Sequence, residues 1–235
     1  MKTNNSFFKG IKDGIPICLG YLSVAFAFGI FAVSSGLTVW QSVLISMANV
    51  TSAGQLAGVP IITLGLPLAE MALTQFVINL RYALMSISLS QKLDSNVRLI
   101  DRFLISFLNT DEIFAVASGN EGTVGRRYLY GLILTPFIGW TSGTLIGAVA
   151  GNILPSVVTS ALGIAIYAMF IAIVIPPAKK NSAIAGVAIL SVALNCIISY
   201  VPVFDGISGG MAIIICAVIS SAVFSVIRPV KEETE

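Results

Sequence analysis

Apolar runs of roughly 20 residues follow one another along almost the whole chain, and a run of that length can cross a bilayer as a helix. The runs do not alternate between apolar and polar residues at a period of two, which argues against an outer-membrane barrel. Only 10% of the 235 residues are charged, too few to cover a soluble domain. The sequence therefore predicts an all-α, polytopic membrane helix bundle in a lipid bilayer, with one transmembrane domain over residues 1–235. The eight predicted segments are 16–33, 39–62, 67–89, 103–118, 128–150, 157–175, 183–201 and 209–227.

The composition also excludes several classes of function. The chain has no His, so it contains neither a Ser-His-Asp triad nor a histidine metal site. The net charge of +2 comes from scattered basic residues, which argues against nucleic-acid binding. It has no Gly-x-x-x-x-Gly-Lys-Ser/Thr sequence to bind ATP phosphates. We expect no metal, no cofactor and no enzymatic activity, since the Tyr-Asp and Gly-x-Gly-Asp sequences of intramembrane aspartyl proteases are also missing.

Two of the apolar segments have polar centres. Residues 49–55 interrupt segment 39–62, and residues 109–112 lie in the middle of segment 103–118. Broken helices in transporters place free backbone groups at a binding site near the bilayer midplane. Gly54 and Gln55 are therefore candidate substrate-binding residues. The structural alternative is a Gly/Ser kink packed against a neighbouring helix.

The distribution of Lys and Arg predicts that both termini are cytoplasmic, as in a multi-pass protein of the bacterial cytoplasmic (inner) membrane. One connection disagrees with eight full crossings. Residues 91–102 carry Lys92, Arg98 and Arg102, yet eight crossings would place them outside. If segments 39–62 and 103–118 were both re-entrant or broken, this connection would lie inside. Both topologies stay open at the level of sequence.

Four ionisable residues lie within apolar segments: Glu70, Arg81, Asp111 and Glu112. A charge at bilayer depth costs about 2.5–3.5 kcal/mol, so such residues face a cavity or a partner. Glu70 and Arg81 are about 16 Å apart along one helix, so they do not pair, and Arg81 is free to pair with Asp111 or Glu112. Asp111 and Glu112 point about 100° apart and cannot both face one narrow site.

Two interpretations of these charges stay open. The first is a buried ion pair that fixes the register of two helices. The second is a site for a zwitterion, in which Arg81 and Asn79 hold the carboxylate and Asp111 or Glu112 holds the ammonium or carries a proton. Glu70 is a third candidate for proton coupling, with a first-turn acid at a helix N-terminus as its structural alternative.

A glycine stripe predicts a helix-packing face in segment 128–150. Glycines recur there at every fourth position and permit close approach of a second helix, in this chain or in another subunit. The stripe consists of Gly139, Gly143, Gly147 and Gly151.

Four short motifs lie at or near these residues. They are Gly14-Ile15-Pro16 with Gly20 and Ala25–Gly29, Ser52–Gln55, Ile78–Tyr82, and Thr110–Glu112 with Phe114-Ala115. Through these motifs the chain resembles, over nearly its whole length, the AzlC family, the larger subunit of bacterial branched-chain amino acid exporters linked to azaleucine resistance. Family members often have His where Tyr82 stands. Tyr is a poor proton carrier at neutral pH, which favours a carboxyl as any proton-coupling group.

The resemblance implies a secondary transporter, a permease that exports Leu, Ile, Val and their analogues across the cytoplasmic membrane, with proton coupling as an option. It also implies a small AzlD-type membrane protein as a second subunit. Two alternatives remain: a non-transporting assembly subunit of a transport complex, and an exporter of a different small zwitterion.

Overall fold

The computed structural model describes residues 3–155, 157–158, 171 and 174–228, which are mostly helical. The helices are α1 (Phe7–Ser34), α2 (Val39–Ala48), α3 (Ser52–Thr63), α4 (Leu68–Ser90), α5 (Leu99–Phe107), α6 (Asp111–Ser118), α7 (Arg126–Ile153), α8 (Ser182–Tyr200) and α9 (Gly209–Ile227). Two short strands, β1 (Thr3–Asn4) and β2 (Thr123–Val124), pair in parallel, and Pro202–Phe204 forms a 3-10 turn. The predicted all-α membrane bundle is confirmed.

Five helices within the described ranges are long and apolar enough to cross a membrane, namely α1, α4, α7, α8 and α9. They correspond to five of the eight predicted segments. The predicted segment 157–175 lies mostly outside the described residues, and residues 174–180 are helical through both prolines. The remaining two predicted segments, 39–62 and 103–118, are the broken ones.

Local sequence signals account for the helix ends. Thr38 caps α2 through a capping box with Gln41, and Ser208 caps α9 by accepting a hydrogen bond from the backbone N–H of Met211. Gly36 and Gly65 have φ values of +97° and +64°, which glycine adopts without strain, and each lies just after a helix. The short connections 35–38 and 64–67 follow from these turns.

The chain divides into two compact units, Met1–Leu56 with Asn79–Gly163, and Ala57–Ile78 with Ile164–Glu235. The first unit contains α1, α2, the second half of α4, and α5 to α7. The second unit contains most of α3, the first half of α4, and α8 with α9. In the second unit α8 packs against α9, where Gly186 lies against the ring of Phe224. The expectation of one transmembrane domain stays a prediction.

The first unit is built on α1 and α7, which lie in close contact along their length. The predicted glycine stripe makes this contact. Gly139, Gly143 and Gly147 lie against the backbone oxygens of Cys18, Leu22 and Phe26, in the same order along both helices, so α1 and α7 run parallel. Gly151 continues the contact against Val33. The stripe is therefore filled by this chain's own α1, which corrects the option that another subunit packs there.

The pair α2–α3 enters the first unit from the end where α1 finishes. Ser46, near the end of α2, lies 2.6 Å from the hydroxyl of Thr144 on α7. Val50, in the break between the helices, packs against Tyr21 and Trp140, nearer the middle of α1 and α7. Gln55 on α3 then donates back to Ser46 over 2.7 Å. The chain therefore turns back at the break, and residues 39–63 are here called hairpin one.

The pair α5–α6 enters from the opposite end, where α1 and α7 begin. Asp101, in the first turn of α5, accepts a hydrogen bond from Tyr130 over 2.8 Å. Thr110, just before α6, lies 2.6 Å from the hydroxyl of Tyr21, midway along α1. Asn120, just after α6, donates to the hydroxyl of Tyr128 over 2.8 Å and so lies again at the beginning of α7. This second hairpin, hairpin two (residues 99–118), reaches the middle of the unit and returns.

The two hairpins decide between the two predicted topologies. With ten and nine residues, α2 and α5 span about 15 Å each, half of the bilayer core. After α4 the chain lies at the beginning of α1 and α7, where the backbone N–H of Val124 donates to the oxygen of Lys92. Eight full crossings is therefore wrong and the re-entrant alternative holds, with residues 91–102 at the same end as the N-terminus. Which end faces the cytoplasm stays a prediction.

One predicted boundary needs correction. Hairpin two begins at Leu99 rather than at residue 103, so part of the predicted polar connection is helical. The reason is a capping interaction, because the carboxylate of Asp101 accepts hydrogen bonds from the backbone and guanidinium of Arg98. Hydropathy alone cannot detect a helix that starts in charged residues.

Candidate functional site

The tips of the two hairpins meet at one place in the first unit. Val50 from the tip of hairpin one belongs to a buried cluster with Tyr21 and Trp140, and Leu108 from the tip of hairpin two packs against the same cluster. The rings of Tyr21 and Trp140 are in edge-to-face contact, with centroids 5.0 Å apart. Two helix breaks at bilayer depth leave backbone groups that must find partners inside the protein, and in transporters such breaks line the binding site.

An ion pair lies at the tip of hairpin two. The guanidinium Nη1 of Arg81, midway along α4, is 2.5 Å from the carboxylate Oδ2 of Asp111, the first residue of α6. Their side chains are 53% and 44% exposed, so the pair is open on one side. Arg81 also donates to the hydroxyl of Tyr82 over 3.1 Å. An exposed charge pair at this depth needs water, a ligand or protein against its open side.

Glu112 has a different environment from its neighbour, as expected for adjacent residues on a helix. Its carboxylate is hydrogen-bonded to the hydroxyl of Tyr21, which also lies 2.6 Å from the hydroxyl of Thr110. Within the described part of the chain, no ion pair involves Glu112. Glu112 is therefore bound to a neutral partner, while Asp111 is bound to a cation.

This hydrogen-bond chain can adopt two directions. A phenol has one proton to donate and can accept as well. When Glu112 is ionised, Tyr21 donates to it and accepts from Thr110. When Glu112 is protonated, it donates to Tyr21, which donates to Thr110. The arrangement accommodates both protonation states of Glu112 without breaking a contact.

Tyr21 is the residue of this site that sequence reasoning missed. The first motif includes Gly20 and Ala25 on either side of Tyr21 but not Tyr21 itself. The available signal was a phenol in the middle of an apolar span, since a buried Tyr hydroxyl needs a polar partner. The partner itself, Glu112, is more than 90 positions away in the sequence and could not be assigned from it.

Asn79 does not share the position of Arg81. Both lie in the continuous helix α4, and side chains two residues apart leave a helix on nearly opposite sides. The prediction that Arg81 and Asn79 bind one substrate carboxylate together has no support from this geometry. Tyr82, in contrast, is adjacent to the guanidinium, with its ring centroid 4.8 Å from the central carbon of that group.

Gln55 and Gly54 are both buried in hairpin one. Gln55 is 1% exposed and connects α3 to Ser46, whose hydroxyl is in turn hydrogen-bonded to Thr144. Ser46 and Thr144 are fully buried. The geometry favours the structural alternative, in which these residues hold the broken helix against α7. Their predicted role in substrate binding stays untested.

Glu70 lies in the second unit. It is 8% exposed and accepts a hydrogen bond from Ser208, the N-cap of α9, over 2.5 Å. Glu70 is also in the first turn of α4, so its carboxylate lies near the N-terminal ends of two helices. This supports the structural alternative for Glu70, and its role in proton coupling stays a prediction.

The fold and the site define a class, a multi-pass α-helical membrane protein with two re-entrant hairpins whose tips meet beside an ion pair. A model of the AzlC protein family matches residues 16–154, more than half of the chain, and that range contains both hairpins. The chain belongs to the AzlC family, as its motifs predicted.

Two relatives support this membership. The inner membrane protein YgaZ of Escherichia coli strain K12 is 30% identical over 80% of this chain and 80% of its own length. An uncharacterized membrane protein of Archaeoglobus fulgidus is 33% identical over 80% of this chain and 83% of its own length. No solved structure matches the chain. The comparisons support a membrane protein with a role related to transport.

Proposed function

We propose that this protein is a secondary transporter that exports branched-chain amino acids across the bacterial cytoplasmic membrane. The observation that carries the proposal is the half-exposed pair of Arg81 and Asp111 at the meeting point of the two hairpin tips. The choice of leucine, isoleucine and valine rests on the family resemblance.

The ion pair is complementary to a zwitterion. An amino acid carries one carboxylate and one ammonium, which match the guanidinium of Arg81 and the carboxylate of Asp111. When the substrate binds, its carboxylate takes the place of Asp111 on Arg81, and Asp111 takes the ammonium. The total charge in the site stays the same, so the exchange avoids a new uncompensated charge in a low-dielectric region. Apolar side chains at the tips, such as Leu108, are placed to contact an aliphatic side chain.

Proton coupling fits Glu112 better than Asp111. Asp111 is paired with the guanidinium of Arg81, so its carboxylate already has a charged partner. Glu112 is bound to Tyr21, which can act as donor or as acceptor. We assign substrate binding to Asp111 and proton exchange to Glu112. The sequence alone had left both roles open to either residue.

The second subunit of the AzlD type is part of the proposal because the resemblance implies it. The glycine stripe does not serve as its docking face, since α1 already fills that stripe. The alternative of a non-transporting assembly subunit rested partly on that stripe and loses that support. An exporter of a different small zwitterion stays compatible with the ion pair.

Efflux of preloaded, labelled leucine from cells without other exporters tests the proposal. We expect efflux from cells that express this chain together with an AzlD-type subunit, and its loss in the Arg81→Ala variant. Arg127→Ala is the matched control, because Arg127 is exposed at the beginning of α7 and away from the hairpin tips. Full efflux by an Arg81→Ala protein that inserts normally would contradict the proposed site. Efflux of other amino acids but not leucine would redirect the substrate.

A further inference from the structure

A cavity of about 50 Å³ lies between the second half of α4 and α5, within the first unit. Five of its eight lining residues are polar, although Leu89, Leu93 and Ile105 give it a largely apolar surface. Its polar lining residues are Ser86, Ser90, Arg102, Ser106 and Asn109. The hydroxyls of Ser90 and Ser106 donate to the backbone oxygens of Ile87 and Arg102 in their own helices. A lining group without such a partner needs an occupant of the cavity to supply one, because lipid offers no hydrogen bonds.

The cavity connects the polar end of the unit with the tip of hairpin two. Leu93 and Arg102 line it where residues 91–102 join α4 to α5. Asn109 lines it at the other extreme, one residue before Thr110 of the Tyr21–Glu112 hydrogen-bond chain. Ser86 and Ser90 are four residues apart and share one face of α4 between these extremes.

Asn109 provides the second, independent observation. It is 4% exposed, and its amide nitrogen donates to the hydroxyl of Ser86 over 3.3 Å. Its amide oxygen is buried and has no hydrogen-bond partner among the described residues. A buried acceptor without a partner is unfavourable, because it has lost its hydrogen bonds to water. A cavity of this volume is large enough for water, which would supply the missing donor.

We propose that this cavity is a water-filled half-channel, which leads from the end of the unit at residues 91–102 to the tip of hairpin two. Its water donates to the Asn109 amide oxygen and to the serine hydroxyls, of which those of Ser90 and Ser106 donate within their own helices. The purpose of the half-channel rests on the proposed transport function: it supplies water and protons next to the Thr110–Tyr21–Glu112 chain. At about 50 Å³ it admits water and protons and is too small for an amino acid.

Thiol labelling tests the half-channel without any substrate. Single cysteines replace Ser86, Ser90 or Ser106 in a background with Cys18→Ala, Cys196→Ala and Cys216→Ala. A charged, hydrophilic methanethiosulfonate reagent is applied to membrane vesicles of each orientation. Ile87→Cys and Phe107→Cys are the matched controls, because each adjoins a lining residue and is exposed but does not line the cavity.

We expect Ser86→Cys and Ser90→Cys to react at least about tenfold faster than Ile87→Cys, because a thiol in an apolar surrounding forms less thiolate. The fast reaction should occur only from the side that carries residues 91–102. Adding Ser90→Leu should slow the reaction at Ser86→Cys and leave Ile87→Cys unchanged. Equal rates at positions 86 and 87, or fast labelling from the other side, would overturn the half-channel.

The labelling result separates this inference from the proposed function. Fast labelling in a protein that exports no amino acid would keep the half-channel and reject the export proposal. Normal leucine efflux with slow labelling at all three serine positions would keep the export proposal and reject the half-channel. Leucine efflux by the cysteine-free protein verifies that the substitutions leave the fold intact. If that protein exports no leucine, its monodisperse elution in size-exclusion chromatography verifies the same point.

Discussion

The two hairpins have the same form and opposite chemistry. The break in hairpin one has neutral, buried hydrogen bonds: Gln55 donates to Ser46, and the hydroxyls of Ser46 and Thr144 are hydrogen-bonded to each other. Hairpin two has two carboxylates at its break, Asp111 and Glu112, and the Asp111 side chain is 44% exposed. A break in a membrane helix therefore needs satisfied polar groups but no charge. The charges of hairpin two go beyond that structural need, which is why we place the function there.

The contact between α1 and the glycine stripe of α7, here called the seam, supports both hairpins. Disrupting this contact should therefore have the largest effect. In Gly147→Leu the new Cβ would collide with the backbone oxygen of Phe26. We expect no folded protein in detergent extracts, measured by size-exclusion chromatography. Gly20→Leu on α1 is the matched control, because no atom lies within 4 Å of a Cβ at that position. A folded Gly147→Leu protein would mean that the seam does not support the hairpins.

Asp111→Asn should abolish or strongly reduce efflux while the protein stays folded. The change removes the charged partner of the substrate ammonium, about 1.5–3 kcal/mol, which corresponds to roughly 10- to 150-fold in rate. Leucine efflux measures it, with the exposed loop residue Asp205→Asn as the same substitution elsewhere. If Asp111→Asn exports normally, hairpin two has no more functional importance than hairpin one.

Tyr21→Phe should have a smaller effect that depends on pH. It keeps the ring against Trp140 and removes only the hydroxyl that binds Glu112. Loss of one such hydrogen bond, about 1.4 kcal/mol, predicts roughly tenfold slower efflux. Rates measured across a range of pH should also follow a changed profile. Tyr200→Phe, at an exposed position, is the control, and an unaltered profile in Tyr21→Phe would remove Glu112 from proton exchange.

Gln55→Ala should change stability and largely spare transport. It breaks the buried hydrogen bond to Ser46 and should destabilise hairpin one by about 1–3 kcal/mol. Thermal unfolding in detergent measures the loss, with the exposed Gln91→Ala as control. A Gln55→Ala protein of normal stability that fails to export would restore the predicted substrate-binding role of Gln55 and cancel the contrast between the hairpins.

Ser95→Cys should leave both stability and efflux unchanged, because Ser95 is exposed in the connection before α5. This variant tests on which side of the membrane residues 91–102 lie. An impermeant thiol reagent should reach it from the same side as a cysteine at the N-terminus, since both lie where hairpin two enters. In a protein with eight full crossings the two cysteines would be labelled from opposite sides.

Much of the fold could be predicted from local patterns. Hydropathy located the five described spans to within a few residues, except that α1 begins at Phe7 rather than at residue 16. The polar centres located both breaks, since a run such as Asn49–Thr51 cannot continue an apolar helix. Composition also located the charged residues at bilayer depth and left Arg81 free for a partner on another segment.

The assembly of the site depended on contacts between distant positions. Sequence proposed that Arg81 pairs with Asp111 or Glu112, and the structure selects Asp111. It grouped Asn79 with Arg81, although helical geometry places them on opposite sides of α4. The prediction from the sequence omitted Tyr21, because no residue near Tyr21 in the sequence shows that Thr110 and Glu112 lie against it.

The sequence by itself determined which segments are helical, where two of them break and which side chains are costly to bury. These are properties of one segment and its solvent, and hydrophobicity and helix geometry suffice to read them. Only the tertiary structure decided that the broken segments turn back, that their tips meet at Tyr21 and Trp140, and that the glycine stripe accepts α1. Those outcomes depend on which surfaces fit together, and packing complementarity is a property of two segments at once.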